Sequence, residues 1–116
     1  MDISETEKFL IQNVREYYET GKEAQDKGNY NSAITMYFKT IAILCDLYIY
    51  KKTGRIPSNH AERFRILEKF DKEIYDLIDR NFSFYQDSYR SRLTAEICLL
   101  IYNDVKRLYE KVGVDI

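Results

Sequence analysis

Met36-Tyr37-Phe38-Lys39-Thr40-Ile41-Ala42-Ile43-Leu44-Cys45-Asp46-Leu47-Tyr48-Ile49-Tyr50 is the stretch on which the fold turns. Met36, Tyr37, Ile41, Leu44, Leu47 and Tyr48 fall at the steps of a helix. Ile34, Phe38, Ala42, Ile43, Ile49 and Tyr50 widen that stripe around most of the circumference. A helix apolar on so many sides is buried on more than one of them. In a chain of 116 residues it is the central helix, or one that a second subunit covers. It is expected to begin around residues 29–31 and to end near 52. Asp46 is read as marking its one solvent-facing strip, with Lys39 and Thr53, ahead of the alternative of a buried, paired carboxylate. The run 41–50, broken by Asp46, is about half the length a membrane span needs.

Upstream, Ser4-Glu5-Thr6-Glu7 has the spacing of a capping box. Leu10, Val14, Tyr17, Tyr18, Gly21 and Ala24 then trace one helical stripe, ending near Gly28-Asn29. Gly21 weakens a helix relative to alanine, so its place on the stripe points to a closely approaching neighbour. Downstream, Thr53-Gly54-Arg55-Ile56-Pro57-Ser58 reads as a turn. Ser58 or Asn59 caps a third helix whose stripe is Phe64, Leu67, Phe70, Ile74, Leu77 and Ile78, ending near Arg80-Asn81. Residues 81–90 fit no helical period well and are expected as an aromatic loop folded over the bundle or into a partner, or as a short fifth helix around 82–90. The last helix starts at about Ser91 or Thr94 and carries Ala95, Cys98, Ile101, Val105, Leu108 and Val112 inward, closed by Gly113. Short connections make successive helices antiparallel, so the fold class is all-α: a single-domain, up-down four-helix bundle.

Composition removes several functions. Eighteen Lys and Arg against nineteen Asp and Glu leave a net charge of −1, so a global basic footprint for nucleic acid is absent. One histidine, His60, and two cysteines in apolar runs, Cys45 and Cys98, cannot form a Cys/His zinc site of the usual ligand count. No metal and no cofactor is expected. The polar, acidic start and the two cysteines, read as reduced and buried, lead to the expectation of a soluble cytoplasmic protein without a secretory leader.

His60 stands at the start of the third helix, close in sequence to Arg55, Arg63 and Arg65. A phosphate or nucleotide contact there would use the helix N-terminus and the guanidiniums. The simpler reading is a histidine that caps or packs, its pKa lowered by its surroundings. Arg80, Arg90 and Arg92 bracket Phe82, Phe84, Tyr85 and Tyr89. Such interleaving suits single-stranded RNA, yet it suits a protein interface as well, which the charge balance favours. The interface candidates are Phe38, Ile49, Tyr50, Phe82, Phe84 and Tyr85. The ligand or anion candidates are His60, Arg55, Arg63, Arg90, Arg92 and Tyr89.

Residues 21–41, with Gly21-x-x-Ala24 and Gly28-Asn29-Tyr30-x-x-Ala33-Ile34-x-x-Tyr37, look like one tetratricopeptide turn. No repeat follows after residue 54, so a repeat-type adaptor is the least favoured reading. A wider resemblance rests on Gly28-Asn29-Tyr30-Asn31-Ser32-Ala33, the helix 36–50, Gly54-Arg55-Ile56-Pro57-Ser58-Asn59-His60, and Gln86-Asp87-Ser88-Tyr89-Arg90. In that order these segments resemble the HEPN family of helical bundles. The resemblance implies a homodimer, related either to metal-independent ribonucleases, often toxins of toxin–antitoxin pairs, or to non-catalytic partners of nucleotidyltransferases. The ribonuclease branch carries an arginine followed four to six residues later by histidine. Here Arg90 and Arg92 are followed by Ala95-Glu96-Ile97-Cys98, so the histidine of that pair is missing. The expectation is therefore a non-enzymatic, homodimeric binding subunit for a protein or a nucleotide, with a degenerate ribonuclease or RNA-binding protein as the alternative.

Overall fold

The computed structural model describes residues 4–114, and among these every regular element is a helix. Helix α1 spans Glu5–Asp26, α2 Tyr30–Thr53, α3 His60–Phe70, α4 Lys72–Asp87 and α5 Ala95–Val112. Ser4 starts α1 by accepting a bond from the Glu7 N–H at 3.1 Å, and Asn59 starts α3 by the same device at 2.9 Å. Gly54 ends α2 in the left-handed conformation, φ 77°, where a Cβ would be strained.

The apolar girth of α2 is met within the chain itself. Ala33, Ile34, Tyr37, Phe38, Ile41, Leu44, Cys45, Leu47 and Ile49 are all buried, in one core with Val14, Leu67, Ile74, Ile78, Ile101, Val105 and Leu108. By length and composition α2 could cross a membrane, but most of it lies inside this chain.

Contacts give the directions of the helices. Ser4 Oγ lies 3.2 Å from Tyr50 Oη while Gly21 abuts Tyr37, so α1 is antiparallel to α2. A Cβ on Gly21 would sit 2.8 Å from the Tyr37 ring, which is the close approach its position on the stripe suggested. Tyr85 stacks on Phe38 and Tyr48 bonds Asp71, so α4 is also antiparallel to α2. Asn31 bonds Leu93 and Lys51 bonds Val112, so α5 is parallel to α2. Helices α1, α2, α4 and α5 therefore alternate up and down, as a four-helix bundle requires.

Two expectations need correction. The single helix expected from residue 59 to 80 is two, because Asp71 is extended (φ −156°, ψ 95°) and at once ends α3 and caps α4 through the Ile74 N–H at 3.1 Å. The apolar spacing runs through the break, so periodicity hides it, and Phe70 on that stripe is 57% exposed. Residues 81–87 are not a loop either. They complete α4, with Asn81, Phe82 and Tyr85 continuing the inner face of Ile74, Leu77 and Ile78. Asn81 is a buried polar residue that bonds the Leu77 carbonyl and Asp104, each at 2.8 Å, which disguises a core position as a turn.

Candidate functional site, an open groove at one end of the bundle

The start of α3 and the end of α4 meet beside the first turns of α2. His60, Phe82, Tyr85, Gln86, Tyr89 and Arg90 line an open groove of about 510 Å³ there. A second recess of about 270 Å³, lined by Asn31, Ser88, Tyr89, Arg90, Ser91 and Arg92, continues it. Tyr89 and Arg90 belong to both, so an aromatic stretch passes directly into a cationic, hydroxyl-rich one.

Asn31 builds the second recess, and its part was not foreseen. Its side-chain amide donates to the Ser88 and Ser91 carbonyls at 2.9 and 2.8 Å, and its oxygen accepts from the Leu93 N–H at 2.8 Å. One side chain on α2 thus pins the segment that carries Arg90 and Arg92. An asparagine at a helix start reads as a local cap, so nothing in the sequence announces partners 57 to 62 residues away.

On the aromatic side, Phe38 and Phe82 pack against the His60 ring with centroids 6.0 and 5.5 Å away. The Tyr85 and Tyr89 hydroxyls meet at 2.8 Å, with their rings edge to face, and Tyr89 is 74% exposed. That bond raises the Tyr89 pKa, with some help from desolvation, so the hydroxyl stays neutral.

Behind the groove lies an ion pair. Arg63 donates from Nε to Asp46 Oδ1 at 2.7 Å and from Nη2 to Oδ2 at 3.0 Å, with both side chains 10% exposed. Asp46 is therefore not on a solvent strip with Lys39 and Thr53; it is the buried, paired carboxylate. Burial pushes its pKa above the ordinary 3.8 against the pull of Arg63. The third arm of Arg63, Nη1, lies 2.7 Å from His60 Nδ1. Desolvation, then the Arg63 charge, lowers the His60 pKa below 6.5.

The candidate residues accordingly divide. His60, Tyr89, Arg90 and Arg92 converge on the groove with Phe82 and Tyr85. Arg63 is held by Asp46 and lines neither recess, which corrects its place among the anion candidates. Arg55 lines a separate notch with Ile56, Pro57 and Phe70, and Arg80 is committed to Asp104 at 2.9 Å. Phe38 and Ile49, each 1% exposed, are core residues of this chain and cannot meet a partner, which corrects their place as interface candidates. Tyr50 and Phe84 are half-buried against the same core.

Among the described residues no cluster of three or more metal-binding side chains occurs. Burial raises the thiol pKa of Cys45 strongly and that of Cys98 to about 11, so both are unreactive. No protein-family model matches the chain, and neither does any curated protein or solved structure.

Proposed function

We propose that the chain is a non-enzymatic, HEPN-like binding protein whose groove takes a nucleotide, its base against Tyr85 and Tyr89 and its phosphate at Arg90 and Arg92. The observation that carries this is the junction of the two recesses. An exposed aromatic face meets two guanidiniums, and neither Arg90 nor Arg92 has a carboxylate partner among the described residues. Arginine binds phosphate bidentately, and aromatic rings stack on bases without regard to sequence. The groove lining holds donors and aromatic faces and no carboxylate that would repel a phosphate, which supports anion binding there. Self-association through α2 is not part of the proposal, because α2 is covered by its own chain.

Calorimetric titration tests it with adenosine 5′-monophosphate, adenosine and inorganic phosphate as separate ligands. The nucleotide is expected to bind more tightly than either fragment, and Arg90→Ala with Arg92→Ala to weaken it by tenfold or more, about 1.4 kcal/mol. No saturable nucleotide binding, or equal binding by the double variant, would remove the reading.

A further inference from the structure

We propose that Arg63 and Asp46 act as positioning residues that hold His60 in its Nε2–H tautomer, so that the groove presents a fixed hydrogen-bond donor, selective for an acceptor group such as a phosphate oxygen. The inference deepens the nucleotide reading and rests on it for the nature of the ligand.

A guanidinium has only donors, so the 2.7 Å contact from Arg63 Nη1 leaves His60 Nδ1 one role, that of acceptor. The ring proton then sits on Nε2. Arg63 cannot turn away, because its other two arms grip both oxygens of Asp46, and the rings of Phe38 and Phe82 pack together against the imidazole. Protonating Nδ1 would set N–H against N–H beside a cation. The charged and titratable groups around the ring are Lys39 and Asp46 from α2, Arg63 from α3, Tyr85 from α4, and Tyr89 and Arg90 just beyond it. Desolvation, and then the Arg63 charge, outweigh the pull of Asp46, which keeps the ring neutral. The consequence is chemical: with its lone pair occupied, His60 is no general base and no metal ligand, but it donates in one direction without having to choose a tautomer.

His60 is the only histidine, so uniformly ¹⁵N-labelled protein gives one imidazole spin system. Long-range ¹H–¹⁵N spectra at pH 7 are expected to show Nε2 protonated and Nδ1 bare. An Nδ1–H ring, or an averaged mixture of tautomers, overturns the inference in the wild-type protein, whatever the variants do. Arg63→Lys cannot span both partners and is expected to release the ring into a mixture. Toward adenosine 5′-monophosphate, His60→Ala is expected to weaken binding about tenfold, while His60→Gln, whose amide places a donor near Nε2, stays within about threefold of wild type. Equal losses in the two variants overturn the donor role. A single Nε2–H ring with no nucleotide response supports the Arg63 device while removing the nucleotide reading, so the two failures are distinguishable.

Discussion

The two ends of α2 use similar side chains to opposite effect. At the C-terminal end Asp71 accepts from the Ile74 N–H, from Tyr48 Oη at 3.2 Å and from Lys111 Nζ at 3.4 Å. Lys111 also holds Glu73 at 2.8 Å, and Lys51 reaches the Val112 carbonyl. Asp71, Glu73, Lys111 and Lys51 there each have a counterpart within the chain. At the N-terminal end Arg90, Arg92 and the Tyr89 hydroxyl face an open groove, held in place by Asn31. An end closed by its own charges stabilises the bundle, and an end with cations unanswered is free to bind.

Arg63 stands between the two, and removing it is expected to cost most. Arg63→Ala leaves the Asp46 carboxylate buried without a partner, so about 3–5 kcal/mol of stability should be lost in urea denaturation. Replacing both partners by apolar residues, Asp46→Leu with Arg63→Met, should recover most of it, because the pair's own net worth is small. If the single variant lost under 1 kcal/mol, the distinction between a propped open end and a self-sufficient closed end would collapse.

Asn31→Ala tests the open end's scaffold. Three bonds go at once in a half-buried place, and about 2 kcal/mol is the expected loss. The more telling readout is hydrogen exchange: the Leu93 amide should lose protection while amides in the α2–α5 core keep theirs. Uniform loss across α5 would mean that Asn31 holds the bundle rather than the groove.

Acid separates the regions in another way. Burial alone would raise the Asp71 pKa, but the Ile74 N–H and Lys111 outweigh it and hold the carboxyl below 3.8. Its contribution to stability is therefore complete above pH 3.8 and is lost as pH falls through the folded-state value. Asp46 has the opposite sign: its folded pKa is raised, so its contribution is complete below 3.8 and declines as pH rises through the raised value. Carboxyl carbon NMR should find Asp46 titrating above 3.8 and Asp71 below it, and a common midpoint would contradict the structure. Asp71→Ala should cost about 1 kcal/mol through the lost cap.

What could be read from the sequence follows from how local each cause is. The helix start at Ser4 and the end at Gly113 were legible, and the starts at Asn59 and Thr94 and the end at Gly54 were legible to within a few residues, because a cap and its backbone partner lie within four residues. Asp71 had the same local signal, but an unbroken apolar stripe ran across it. The groove was half legible. His60, Tyr89, Arg90 and Arg92 were singled out by residue type, and the fold brings them together. Asp46 and Arg63 are ordinary surface residues until α3 folds back and joins them across 17 positions. Asn31 is harder still, because all three of its bonds are made to a distant segment.

The smallest stability effect is the most instructive. Arg90 and Arg92 are exposed and form no ion pair among the described residues, so Arg90→Ala with Arg92→Ala should leave the urea midpoint within about 0.5 kcal/mol of wild type. Lys111→Ala is the matching change at the closed end, where it strips both Asp71 and Glu73 of their cation and should destabilise measurably. A half-exposed pair contributes little once solvent screens it, so this loss too stays near 1 kcal/mol or below. The order of the two is what counts. If removing the two arginines destabilised the fold more than removing the one lysine, their charges would already be answered by the chain, and the groove would have nothing left to offer a phosphate.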